Sequence, residues 1–137
     1  NGFYFTVIDK KTGCRYGQLT DTGKFTSEMR KTLPKCDGLL LETNHDLHLL
    51  AGFPGYPDFL KKRIRSNRGH LSNYQTMEFI RDNLDWDKCQ WIIFGHLSKR
   101  TNTPELVMEA KNDIIPDFKK TFIAPAELEL KPQKVKI

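Results

Sequence analysis

Asp37-Gly38-Leu39-Leu40-Leu41-Glu42-Thr43 is the stretch on which the fold turns. Three consecutive leucines are entered through Asp-Gly and left through Glu-Thr. The run has strand length and no polar alternation, the pattern of a central strand buried on both faces of a parallel sheet. A second run of the same kind, Gln90-Trp91-Ile92-Ile93-Phe94-Gly95, lies further along the chain. Between the two, three helices are signalled. Asn44 or Asp46 caps a segment through Leu47, Leu49 and Leu50. Pro57 opens one with Phe59, Leu60 and Ile64 on one side. Ser72-x-x-Gln75 is a capping box ahead of Met77, Ile80 and Leu84.

Working outward to the N-terminal side, Phe3 to Asp9 and Cys14 to Thr20 are β-rich runs joined by a turn ending at Gly13, which predicts a hairpin. Ser27 to Leu33 reads as a short helix, capped by Thr26 or Ser27 and stopped by Pro34. On the C-terminal side, Thr103-Pro104-Glu105 opens a helix carrying Leu106, Ala110 and Ile114. Phe122 to Leu130 is expected to return as a strand before a basic tail, Lys131 to Ile137. The order β-β-α-β-α-α-α-β-α-β makes this an α/β chain with one mixed sheet and helices, without repeats or an interdomain linker.

The 137 residues are 38% apolar and 28% charged, an ordinary globular mix rather than a disordered one. No apolar run approaches the ~20 residues that span a bilayer, and no signal peptide is visible, so the expectation is a cytoplasmic protein with no membrane partner. Cys14, Cys36 and Cys89 are scattered and odd in number, which reads as reduced thiols. The sequence begins Asn1-Gly2-Phe3, which suggests a processed chain or a piece of a longer one. Lys and Arg number 22 against 17 Asp and Glu, a net charge of +5. Lys61, Lys62, Arg63, Arg65 and Arg68 fall within eight residues, and no acid occurs between Asp58 and Glu78. That strip is either a solvated helix face or a contact surface for a phosphate backbone.

Polar residues gather where strands end, the place where open α/β sheets put their chemistry. The second strand ends at Asp21, the third at Glu42-Thr43-Asn44-His45-Asp46 and the fourth at His96-Leu97-Ser98, while Gly69-His70-Leu71-Ser72-Asn73 opens a helix. Asp21-Thr22-Gly23 could be an Asx-turn, His45 a cap or surface histidine, and His48 a structural one. His96 directly after a buried strand is harder to explain structurally. His70 beside a helix N-terminus suits an oxyanion. Asp and His are also ligand types for Zn²⁺ or Mn²⁺, but spacing alone yields two candidates, Asp21 and His96, and no third.

These sets, in this order, resemble the second half of a metallo-β-lactamase-fold hydrolase, in the phosphodiesterase and nuclease branch. The likeness is to the YycJ/WalJ-type proteins, regarded as DNA exonucleases. It rests on Thr20-Asp21-Thr22-Gly23, Glu42 to Asp46, Gly69 to Asn73, Gly95 to Ser98 and Asn102-Thr103-Pro104-Glu105, and it spans about positions 3 to 130. The resemblance implies that residues 1–137 form one half of an αββα sandwich. It implies that Asp21 bridges two divalent ions, Zn or Mn, and that His96 is a ligand of the second. By likeness to ribonuclease Z, Glu42 and His70 would assist phosphodiester cleavage. His45, Asp46, Asn73 and Ser98 would line the site, and the basic strip from Lys61 to Arg68 would hold DNA. Thr101 stands where such sequences commonly have Asn. Their H-x-H-x-D-H signature is absent from these residues, so the chain alone is expected to bind metal weakly and to be inactive. Its uncovered sheet face is expected to pair with an N-terminal half or with a second copy. Two other readings stay open on the residues themselves: a hydrolase of the same fold acting on a small ester, thioester or lactam, and a non-catalytic nucleic-acid-binding module.

Overall fold

The structure, a computed structural model, describes residues 2–124 and 126. The hairpin forms as β1 (Phe3–Ile8) and β2 (Arg15–Thr20), paired antiparallel. Helix α1 (Ser27–Thr32) is capped by Thr26, whose side chain accepts from Met29 N. It runs on into a 3-10 turn over Leu33–Lys35, where Pro34 can supply no further α-helical N–H. The leucine run forms β3 (Gly38–Glu42). Helices α2 (Leu47–Gly52), α3 (Asp58–Arg65) and α4 (Asn73–Asn83) follow. Then come β4 (Trp91–Gly95), α5 (Pro104–Ile114) and a short β5 (Thr121–Ile123). Pro57 stands one position earlier than its sequence reading, as the N-cap of α3. The expected last strand starts at Thr121, and its continuation over residues 127–130, like the tail, lies outside the described residues.

The sheet runs β1-β2-β3-β4-β5, with β2 to β5 parallel. Strand order follows chain order. Right-handed crossovers therefore stack the helices on one face. Burial agrees. Leu19, Leu39, Leu41, Ile92 and Phe94 share one side of the sheet and pack with Met29, Leu33, Met77, Ile80, Val107 and Ile115 in a single core. The alternate positions form the other face: Phe3, Phe5 and Val7 of β1, Tyr16 of β2, Leu40 of β3, Trp91 and Ile93 of β4, and Phe122 of β5. No helix among the described residues covers it. Phe3 is 58% exposed and Phe122 62%. One sheet thus has a dry face and an apolar face open to solvent, which a lone α/β layer rarely leaves so large.

Candidate active site

Parallel pairing of β2, β3 and β4 brings three C-terminal strand ends to one edge. Glu42 pairs across from Gly95, and Asp21 and His96 directly follow their strands. Both Asp21 (φ 57) and His96 (φ 58) are left-handed, and they are the sole non-glycine residues among those described with positive φ. That conformation is costly for residues with a Cβ and clusters at functional sites. It turns each side chain sharply off its strand.

His70 arrives from the loop between α3 and α4. Its N–H donates to Ile64 O at 2.8 Å, folding the loop back on the end of α3. The fold-back needs glycine at 69, where a Cβ would stand 2.1 Å from Ile64 O. Gly23 is bound in the same way, since a Cβ there would meet Ser66 O at 1.9 Å. The Asp21 turn and the His70 loop therefore seat directly on one another.

Glu42 sits fully buried at the centre. Its Oε2 accepts from Thr22 N at 3.1 Å, and its Oε1 lies 2.6 Å from His70 Nδ1 and 3.4 Å from His96 Nδ1. Burial pushes this carboxyl up, but the hydrogen bonds from His70 and His96 outweigh it and hold the group below the ordinary carboxylate range. His96 is shifted the other way, above the usual imidazole value, chiefly by its hydrogen bond to Glu42. Its Nε2 lies 3.6 Å from Asp21 Oδ1, and His70 Nδ1 is 3.9 Å from the same oxygen. With Nδ1 committed to Glu42, the free functional atom of His70 is Nε2.

Asp21, His70 and His96 each offer a ligand atom, all within 4.8 Å of one another. A carboxylate and two imidazoles suit a divalent transition ion. A buried carboxylate on the far nitrogen of a ligating histidine is the usual outer support of such a site. The donor set therefore fits a metal ion. Sequence spacing pointed to two candidate ligands, Asp21 and His96; that His70 stands beside them becomes visible once loop 66–69 folds back. Its signal in sequence was Gly69, the one residue that permits the fold-back.

The remaining named residues lie elsewhere. Asp46 spends its carboxylate on capping α2, accepting from Leu49 N at 2.7 Å. Asn73 is buried in a reciprocal amide pair with Asn102, 2.9 and 2.8 Å, and Asn102 also donates to Thr43 O at 2.7 Å. Ser98 Oγ closes its own loop, taking Thr101 N at 3.2 Å and bonding Thr101 Oγ1 at 2.9 Å. His45 is neither a cap nor exposed. It is fully buried, and both ring nitrogens lack a hydrogen-bond partner. Burial, reinforced by His70, pushes its pKa down to about 4, so it is neutral at pH 7. The basic strip runs along α3 into the His70 loop. Lys61 donates to Ala51 O at 2.8 Å, while Lys62, Arg63, Arg65 and Arg68 are exposed, with no carboxylate at ion-pair distance among the described residues.

No helix of the described residues is long and apolar enough to cross a membrane. No family model matches the chain. It is 38% identical over 104 residues to the exodeoxyribonuclease WalJ of Streptococcus pneumoniae serotype 2 (strain D39), covering 76% of this chain and 37% of that protein. It is 29% identical over 97 residues to the exodeoxyribonuclease YycJ of Bacillus anthracis, covering 71% of this chain and 36% of that one. A crystal structure of a diphosphatase of the PhnP family superposes with a TM-score of 0.48 at 16% identity, over 93% of this chain and 41% of the other. The chain thus spans little more than a third of the length of the curated relatives it matches. Over that span the motif likeness and the sequence identity agree, and the chain is related to the WalJ/YycJ-type proteins.

Proposed function

We propose that this chain is part of a metal-dependent hydrolase that cleaves phosphodiester bonds in DNA, as an exonuclease. The observation that carries the reading is the convergence of Asp21, His70 and His96 within 4.8 Å, backed by buried Glu42. The relatives named as exodeoxyribonucleases support the substrate class. Asp21 and His96 would hold Zn or Mn ions, with further ligands from outside these residues. When bound, such ions supply a water of lowered pKa and charge neutralisation at phosphate oxygens. Glu42 fixes the ring of His70 and keeps a proton on Nδ1, which leaves Nε2 as the atom that can take up a proton and then pass it to the leaving oxygen. Lys62, Arg63, Arg65 and Arg68 steer and hold the backbone ahead of that point.

The open face through Phe3, Trp91, Ile93 and Phe122 supports a second proposal about architecture. These residues form the second half of an αββα sandwich, and the first half covers that face. The free cysteines, two of them buried, fit a reducing cytoplasm. The test is chelation of the full-length protein. Nuclease activity on DNA should vanish with EDTA and return with Zn²⁺ or Mn²⁺. Activity that survives exhaustive chelation would refute the metal site, and metal-independent DNA binding without cleavage would leave a binding module.

A further inference from the structure

A cavity of about 300 Å³ opens beside the site and belongs to none of the chemistry above. Its walls are the two segments that deliver Asp21 and His70: Gly23 to Phe25 follow Asp21, and Asn67 and Leu71 flank His70. Helix α4 contributes Gln75 and Phe79, and Arg30 reaches in from α1. Whatever occupies the cavity therefore touches the supports of the proposed reaction centre. We propose that it receives a single unpaired nucleobase of the strand being cleaved, an inference that rests on the phosphodiesterase reading.

Three features of the walls select a base. The size is at the lower end of small-ligand pockets, about 300–1,000 Å³. Phe25 and Phe79 stack in parallel, centroids 3.9 Å apart, and Phe25 remains half-buried, so part of its ring is open to contact. Arg30 is 5.8 Å from one centroid and 5.9 Å from the other, which sets its planar guanidinium beside the stacked pair rather than over one face. No carboxylate of the described residues lies at ion-pair distance from Arg30.

The charges decide between a base and a phosphate. Lys24 and Arg30 face Glu78 and Asp82 on the same walls, and the Asp82 carboxylate is already held by Arg81 at 2.7 and 3.1 Å. A phosphate would meet two carboxylates there. A neutral heterocycle carrying both donors and acceptors finds a partner for each: the Asn67 amide offers both kinds, and Gln75, whose Oε1 accepts from Ser72 N at 2.9 Å, offers its NH₂. A cavity of this size admits a base only after it leaves its pair, so the end of the strand must fray into it.

The test uses the full-length protein without metal and short single-stranded oligonucleotides that differ by one abasic site, walked along the strand. Binding is read by fluorescence anisotropy. One position should weaken the complex about tenfold when its base is removed, the scale of one base stacked on an aromatic wall. Arg30→Ala and Asn67→Ala, both at exposed positions, should bind the intact oligonucleotide weakly and lose that difference. Hydrolysis of bis(4-nitrophenyl) phosphate, which has no base, should stay unchanged in both variants. Equal binding of every abasic oligonucleotide would overturn the subsite, as would variants that still discriminate. Wild-type protein that cleaves no phosphodiester would instead overturn the hydrolase reading, and the binding comparison would still judge the cavity.

Discussion

Two polar clusters lie side by side at the same strand ends, and they differ in what they have left to give. In one, Asn73, Asn102 and the Thr43 carbonyl are closed on each other: each amide donates to the other, and Asn102 also donates to Thr43 O. In the other, Asp21, His70 and His96 stand with atoms unspent around Glu42, and two of the three sit on left-handed backbone. Both clusters are polar, and both are positioned by the ends of β3 and β4. Burial and polarity therefore do not separate the two clusters; unspent donors and acceptors on strained backbone do, and they single out the candidate site.

The strongest way to break that contrast is to remove one group from the open cluster. In the full-length protein, Asp21→Ala should empty the metal site and lower nuclease turnover by on the order of a thousandfold, since several kcal/mol of charge stabilisation leave with the ion. His70→Ala should lower turnover by roughly 10²-fold or more, while metal content, read by elemental analysis, falls less. If His70→Ala empties the site as completely as Asp21→Ala, His70 is primarily a ligand, and the proton role assigned to its Nε2 is wrong. His70→Ala also strips the buried Glu42 carboxylate of its 2.6 Å partner, so its melting temperature should fall, while Asp21→Ala, at an exposed residue, should change it less.

Much of the fold was legible because its signals are local. The leucine run named β3, Ser72 and Gln75 form their capping box, and Thr103 and Asp46 cap the helices they precede. The gathering of Asp21, Glu42 and His96 followed from strand ends in a parallel sheet. What stayed hidden is non-local. The Asn73–Asn102 pair joins residues 29 apart, so Asn73 reads as a site residue until its partner is seen. His70 joins Asp21 across a loop whose path depends on Gly69 and Gly23 both lacking a Cβ. The left-handed turns at Asp21 and His96 carry no sequence mark, because neither residue is the glycine that such backbone favours.

His45 sharpens the contrast from a third direction, being buried like the closed cluster yet unpartnered like the open one. Its pKa is depressed, so the unfolded chain binds the proton more readily. Stability from this group is therefore complete above about pH 6.5 and is lost as pH falls toward about 4. A fall from the ordinary imidazole value of 6.5 to about 4 is worth about 3 kcal/mol. His70 and Arg65 oppose its charging, while Glu42 and Asp46 favour it. His45→Leu should flatten the loss of stability over that window, measured as denaturation midpoints from pH 7 to pH 4. An unchanged slope would mean that the ring is solvated or partnered in solution.

The smallest effect tests the closed cluster. Asn102→Ala strips Asn73 of its partner and the Thr43 carbonyl of its donor, all in the interior, so it should cost about 2 kcal/mol of stability. Metal content and turnover per folded molecule should not move. Asn73→Ala with Asn102→Ala should cost less than the two single changes added together, because the second truncation removes a group that the first had already orphaned. Additive losses would mean that the two amides do not bond each other. A fall in turnover at full metal loading would mean that the pair holds the end of β3, and with it Glu42, so that the two clusters are one.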